Sequence, residues 1–183
     1  MARVPYLRPE DLAEGDRDVL ARPFNLWRAL ANSPATSRAF QAYVAHLWNA
    51  NRLERRLVEL VILQVAAVCG VAYEWVHHVR LALANGVTPE EIAAIAADGS
   101  TAGGRFGARE AAALDAALEL ARDGRIGEHV AARLDAAFDA AERVDLAATA
   151  SLYVGVARML VAVGVEVEPE WAHVLDAHPL PHR

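Results

Sequence analysis

The pattern of hydrophobic and polar positions predicts a chain built from helices. Apolar residues recur every three or four positions through most of the chain, and no stretch alternates as a half-buried strand does. The 40 alanines agree with an all-α fold class, because alanine is the strongest helix former. The pattern places helices at residues 24–33, 35–49, 52–69, 71–85, 108–122, 128–141 and 145–163, a further helix starting at 88, and one short helix in the tail at 166–183.

Signals for helix ends divide the chain further. Asn85 and Gly86 form a C-terminal stop, and Thr88 followed by Pro89 and Glu91 forms an N-terminal capping box. Residues 1–22 are rich in proline and charge and are expected to form an arm over the surface. Residues 98–107 are glycine-rich and are expected to form a flexible connector. Neither side of that connector is large, so residues 1–183 are expected to form a single domain.

The most informative segment is an apolar run with one carboxylate inside it. Among the thirteen residues 57–69 only Glu59 and Gln64 are polar. A carboxylate in such a run is expected to be buried, and it must then be paired, hydrogen-bonded or neutral. The sequence Tyr-Glu-Trp-Val-His-His follows at residues 73–78. The combination indicates a site that handles protons.

A turn near Gly70 decides whether these groups can cooperate. In one straight helix over residues 52–85, Glu59 and His78 would lie about 28 Å apart. A turn at Gly70 would let the two halves pack against each other and bring the residues together. On a wheel of residues 71–84, Glu74 and His78 border the apolar arc, and His77 lies on the opposite, more exposed side.

The amino-acid composition argues against several classes of function. The net charge of −6 argues against a nucleic-acid surface or a basic membrane patch, and the absence of lysine excludes Schiff-base chemistry at a lysine side chain. The single Cys69 allows no intrachain disulfide and no cysteine zinc site. The N-terminus shows no secretory pattern and no stretch reaches 18 uninterrupted apolar residues, so a cytoplasmic protein without a membrane span is expected.

Between residues 56 and 92 the chain resembles the carboxymuconolactone decarboxylase family, which includes the alkylhydroperoxidase D-like proteins. The resemblance rests on Arg56-x-x-Glu59, the apolar run, Tyr73-Glu74-Trp75-x-x-His78, the segment 82–86 and a following Glu-Glu-Ile. It implies an all-helical, alkylhydroperoxidase D-like fold around a central helical hairpin at about 52–86, with its turn near Gly70. It also implies a homo-oligomer, commonly a trimer or a hexamer.

The same resemblance argues against peroxidase activity. The peroxidase branch of the family uses a C-x-x-C pair, with a Glu before it and a His after it. Glu59 and His78 match that Glu and His, but Val71 and Glu74 occupy the cysteine positions, and Cys69 is two residues out of register. Dithiol chemistry needs an attacking and a resolving thiol. The Tyr-Glu-Trp-x-x-His form resembles the decarboxylase-type branch instead.

We therefore expect an enzyme that needs no cofactor and no metal. Glu59, Glu74 and His78, with Tyr73 nearby, would share protons in an apolar pocket, where their pKa values are driven apart. The substrate would be a small cyclic acid or lactone, and the reaction a decarboxylation, an isomerisation or lactone chemistry. The residues expected to contact the substrate are Arg56, which would hold a carboxylate, Trp75 and Cys69.

Other interpretations stay open at this point. Glu59 can be a structural partner of Arg55 or Arg56, and Trp75 and Cys69 can be packing residues. Cys69 can serve a redox protein of the alkylhydroperoxidase kind. Glu-Trp-x-His occurs twice, ending at His77 and His173, in the spacing that di-iron bundles use. A non-catalytic helical oligomer that binds an apolar ligand or a partner also fits.

Overall fold

The computed structural model describes residues 2–98 and 104–180, and this part of the chain is all-helical, as predicted. The expected connector at 98–107 lies largely outside the described residues. Short 3₁₀ turns at Pro9–Asp11, Glu14–Leu20 and Pro169–Trp171 lie in the terminal segments. The α-helices are α1 Asn25–Leu30, α2 Pro34–Asn49, α3 Arg55–Cys69, α4 Ala72–Ala84, α5 Pro89–Asp98, α6 Ala108–Asp123, α7 Glu128–Ala137, α8 Ala140–Val163 and α9 His173–Ala177.

Several helix ends follow from side-chain caps. Thr88 and Glu91 form the predicted capping box of α5, with each side chain accepting from the other residue's backbone N–H. The predicted end at 141 and start at 145 were wrong, because Asp139 caps α8 by accepting from the N–H of Glu142. α8 therefore begins at Ala140, and α7 ends before the extended Phe138.

The predicted turn between α3 and α4 is confirmed at Gly70. Its φ of 66° is left-handed, a conformation that costs glycine little and other residues more. The N–H groups of Gly70 and Val71 both donate to the carbonyl of Ala66, which closes the end of α3. α4 begins at Ala72 and folds back along α3.

α3 is the central helix of the fold. All of its residues from Leu57 to Ala67 are buried, and it packs against α4, α5, α6 and α8. One face of α3 joins α6, α7 and α8 in a core, and another joins α4, α5 and the C-terminal segment in a second core. A polar residue on α3 therefore has no route to solvent except through a cavity.

α8 is long and apolar enough to cross a membrane by length and composition alone. Its inner face packs against α3 and α6, and 39% of its most apolar window is buried within the molecule. The core helix of a globular protein meets the same criterion. The expectation that the chain has no membrane span stays a prediction.

Candidate functional site

Glu59 and His78 form a buried pair across the hairpin. The Nδ1 of His78 lies 2.8 Å from Oε2 of Glu59, and the two residues are 7% and 0% exposed. Where Glu59 is ionised it only accepts hydrogen bonds, so Nδ1 then carries the proton and donates it. The imidazole is then held in the tautomer whose Nε2 has a lone pair. The turn at Gly70 thus brings together the two residues as the sequence predicted.

His78 faces a cavity of about 340 Å³. Glu74, one turn earlier on α4, lines the same cavity. Glu59 lies behind His78 and is not part of the lining. The other lining side chains are mostly aromatic and aliphatic: Arg22, Phe24, Leu26, Trp27, Phe40, Val44, Trp48, Tyr73, His77, Leu81, Tyr153 and Val156. The arrangement suits an apolar ligand that meets a small number of polar groups.

Glu74 is a carboxyl group held in an apolar environment. The residue is 3% exposed, and its Oε2 has no hydrogen-bond partner within the described chain. Burial raises the pKa of Glu74 well above its usual range. A carboxyl group with a raised pKa keeps its proton to higher pH than an exposed glutamate does, and in its protonated form it can donate a hydrogen bond.

Tyr153 and Trp48 complete the surroundings of His78, and the sequence analysis missed both. The ring of Tyr153 meets the imidazole edge-on at 5.0 Å, and the Trp48 ring lies 6.3 Å from it. Burial raises the pKa of Tyr153. The only available signal was a tyrosine hydroxyl within an apolar stretch of α8.

Tyr73 lines the cavity, but its hydroxyl is engaged elsewhere. It donates to Oε1 of Glu168 at 3.2 Å and accepts from the N–H of Leu26 at 3.1 Å. Burial raises the pKa of Tyr73. The predicted catalytic role of Tyr73 is thus weakened, because the proton is directed at the C-terminal segment and not at His78.

His77 is not the exposed residue that the helical wheel indicated. Its side chain is only 14% exposed, and its Nε2 lies 2.8 Å from Oε2 of Glu168. The rings of Tyr73 and Trp171 each lie 4.3 Å from the imidazole. Burial lowers the pKa of His77, more than the contact with Glu168 raises it. The wheel failed because residues 165–178 cover this face of α4, which local periodicity cannot show.

Arg56 does not pair with Glu59 and does not line the cavity. Its guanidinium bonds Glu91 at 2.6 Å and Glu110 at 2.9 Å, which joins α3 to α5 and α6. The predicted substrate contact is therefore corrected to a structural one, since both faces of the charge are already satisfied. The hydrogen bonds that Arg56 donates to Glu91 raise the pKa of Arg56 above its usual value.

Replacing Arg56 with glutamine is expected to lower the free energy of unfolding by about 1–3 kcal/mol, because two partly buried carboxylates lose their partner. Denaturant unfolding measures this change. Arg52→Gln is the matched control, since the exposed pair of Arg52 with Asp139 is worth at most about 1 kcal/mol. Equal effects of the two substitutions would contradict the structural role of Arg56.

Trp75 and Cys69 are also placed away from the cavity. Trp75 is fully buried in the core between α3 and α4, and its Nε1 donates to the carbonyl of His178 at 2.8 Å. Cys69 is partly buried at the end of α3, beside the cores formed with α8. Neither residue lines the cavity, so the structure does not bring these two expected substrate contacts to His78, and their role in substrate binding stays a prediction.

The structure does not bring the residues of the di-iron interpretation together as a set of metal ligands. His77 contacts Glu168, and Nδ1 of His173 bonds the backbone carbonyl of Glu170. Within residues 2–98 and 104–180, no group of three or more His, Cys, Asp or Glu side chains converges in a way that could hold a metal ion.

Part of the chain, including the hairpin, is similar to a known sequence family. Residues 34–119 match the sequence model of the carboxymuconolactone decarboxylase family. This stretch runs from α2 into α6 and includes Glu59, Glu74 and His78. It does not include Arg22, Tyr153 or the C-terminal segment. No match was found among curated proteins.

Solved structures show that the chain has the alkylhydroperoxidase D-like fold. An uncharacterized peroxidase-related protein from Ralstonia eutropha JMP134, described as an alkylhydroperoxidase AhpD core, is 22% identical, with a TM-score of 0.78 over 94% of this chain and 95% of that one. The debrominase Bmp8 without ligand is 16% identical, with a TM-score of 0.79 over 95% and 96%. A peroxidase-related protein from Silicibacter sp. TM1040 is 20% identical, with a TM-score of 0.73 over 92% and 91%.

Proposed function

We propose that this protein is an acid/base enzyme that moves protons on a small, largely apolar cyclic substrate. The observation that carries the proposal is the His78–Glu59 pair opening on a cavity whose wall also holds Glu74, a buried carboxyl group whose pKa is raised by burial. One basic and one acidic group thus face the same space, which general acid/base catalysis requires.

In this proposal His78 is the base. Nε2 removes a proton from a carbon next to a carbonyl group, and the imidazole becomes an imidazolium. Glu59 accepts the Nδ1–H bond at 2.8 Å, so it fixes the ring orientation and stabilises the positive charge that forms. Because Glu59 is fully buried, its effect on the imidazolium is stronger than in water.

Glu74 acts as the partner acid. Its proton faces the cavity, where it can hydrogen-bond the substrate oxygen on which negative charge develops. The same groups could serve two reactions. In an isomerisation, the imidazolium returns the proton to a different carbon, which shifts a double bond. In a decarboxylation, His78 begins as an imidazolium that has taken its proton from solvent, and it gives that proton to the carbanion left by loss of CO₂. The cavity is compatible with a lyase reaction or an isomerase reaction, and the chemistry of the substrate would determine which of the two occurs.

The cavity walls define the kind of substrate. Aromatic side chains on several sides favour a flat ring, and a volume of about 340 Å³ suits a molecule of one or two rings. The debrominase Bmp8 has been solved with 2,3,4-tribromopyrrole, a flat ring, in a fold of the same kind at 16% identity. That likeness supports the size and shape of the proposed substrate.

Two alternatives are less well supported. A thiol-based reaction would need Cys69, the only cysteine in the sequence, and Cys69 does not line the cavity. A purely binding role would also use the apolar cavity, but it gives no reason for a buried His–Glu pair beside a second buried carboxyl group. Turnover separates this role from catalysis.

The test is proton exchange in deuterated water. Unsaturated lactones and cyclic keto acids are incubated with the protein, and deuterium at the carbon next to the carbonyl is followed by NMR. We expect enzyme-dependent exchange, double-bond migration or loss of CO₂ with at least one compound. If none of the compounds exchanges faster than the solvent reaction although several bind, the cavity serves binding and the proposal fails.

A further inference from the structure

A second cavity adjoins the first and has a different chemical character. It measures about 280 Å³ and shares Arg22, Trp27, Val44 and Trp48 with the cavity at His78. Its remaining lining residues are Ala21, Gln41, Ala45, Asn49 and Arg55. The lining thus holds two arginines and no acidic residue, in a chain whose net charge is −6.

Within residues 2–98 and 104–180, neither arginine has a carboxylate partner. The Nη2 of Arg55 donates to the backbone carbonyl of Trp48, while its Nη1 is buried and makes no hydrogen bond within the described chain. Arg22 is exposed at the entrance, and the described part of the chain offers it neither an ion pair nor a hydrogen bond. A buried N–H group without a partner is unfavourable, so a ligand oxygen that reached Arg55 would gain a strong hydrogen bond.

The two cavities meet at Trp48. The guanidinium of Arg55 stacks over the Trp48 ring at 3.8 Å, and the ring of His78 lies 6.3 Å from the same indole. A ligand can therefore place a ring beside His78 and extend a short arm past one indole to the arginines.

We propose that Arg22 and Arg55 form an anion subsite that holds a carboxylate of the substrate while its ring lies at His78. The inference rests on the proposed function and narrows its substrate class to cyclic acids whose carboxylate is carried on a short arm. The guanidinium fork suits a carboxylate because it can donate two parallel hydrogen bonds. The sequence analysis gave this role to Arg56, one residue further along α3.

Calorimetric binding of paired probes tests the subsite without any turnover. Phenylacetate and 3-phenylpropionate are compared with their neutral amides, which have the same shape, and with sodium sulfate as an anion without a ring. We expect each carboxylate to bind about ten-fold more tightly than its amide, as one charge-assisted contact would give, and to weaken as salt rises. Sulfate should compete with the carboxylates and not with the amides.

Substitutions of the two arginines test whether they cause the preference for carboxylate over amide. Arg22→Gln should remove most of the preference for carboxylate and leave amide binding unchanged, and it lies on the surface, so folding is not at risk. Arg55→Gln should do the same, and Arg55→Lys should restore part of the preference, which separates loss of charge from loss of packing. Arg125→Gln, an exposed change of equal charge on the loop after α6, is the control and should have no effect.

Three outcomes would overturn the subsite. The carboxylates and amides bind equally, Arg125→Gln weakens the carboxylates as much as Arg22→Gln does, or sulfate binds without displacing any ring compound. The measurement is independent of the acid/base proposal. If no compound exchanges protons but the carboxylate preference depends on Arg22 and Arg55, the catalytic proposal fails and the anion subsite stands.

Discussion

Replacing His78 with alanine should slow the exchange reaction by about 100- to 10,000-fold, which is the contribution of a positioned general base. His78 contacts Glu59 through Nδ1 and also lines the cavity, so its imidazole lies where the proposed base is needed. Exchange measured by NMR gives the rate, and binding of an amide probe shows whether the cavity persists. We expect a large loss of rate with a small change in affinity.

Two further variants define the role of His78. Glu59→Gln keeps a hydrogen-bond acceptor for Nδ1 but removes the charge that stabilises the imidazolium, so we expect a smaller loss of about ten- to 100-fold. His129→Ala removes an exposed histidine on α7 and should leave the rate unchanged. A His78→Ala protein that folds, binds the amide and keeps full activity would show that the base is another group.

Replacing Glu74 with glutamine is expected to change how stability depends on pH. Burial raises the pKa of Glu74 in the folded protein above the ordinary value of about 4.5 that it has in the unfolded chain. The folded state therefore holds this proton to higher pH than the unfolded state. The contribution of Glu74 to folding stability is fully present below pH 4.5. It is lost as the pH rises towards the pKa that Glu74 has in the folded protein.

Glutamine has the same shape as glutamate and does not titrate, so Glu74→Gln removes the loss of folding stability with rising pH. Relative to the parent protein, the variant should gain up to about 1.4 kcal/mol of unfolding free energy for each pH unit above 4.5, until the folded pKa is reached. Urea unfolding at several pH values measures the gain. Glu90→Gln, at an exposed position of α5, is the control and should track the parent. A constant difference between Glu74→Gln and the parent at all pH values would mean that Glu74 is ionised when folded.

The sequence predicts well those features that are encoded locally. The capping residues around Thr88 and the left-handed turn at Gly70 depend on a few consecutive residues, and both formed as expected. The pairing of Glu59 with His78 followed from that one turn together with the apolar run around Glu59. The presence of the helices was also predictable. The boundary at Asp139 was not, because it depends on a side-chain cap, and hydrophobic periodicity contains no information about caps.

Contacts between distant segments could not be predicted in the same way. Arg56 is followed by Glu59 one turn later, but it is 35 residues from Glu91 and 54 from Glu110, and the distant carboxylates hold it. His77 is buried because a segment some 90 residues further on covers it. No pattern around either residue carries information about these partners, because helical periodicity describes only one element at a time.

The residues that line the cavity come from different parts of the sequence, and this affects how such proteins can evolve new substrates. The pair that would move the proton is made within one short hairpin, 19 residues apart, in the stretch that matches a sequence family. Only part of the surface that would select the substrate comes from elsewhere: Arg22 and Phe24 precede the matched stretch and Tyr153 follows it, whereas Trp48 and Arg55 lie within it. The groups proposed to react therefore lie in one part of the sequence, and several of the groups proposed to select the substrate lie outside it. New substrates can be explored by exchanging the first 30 residues and α8 while the hairpin is left as it is.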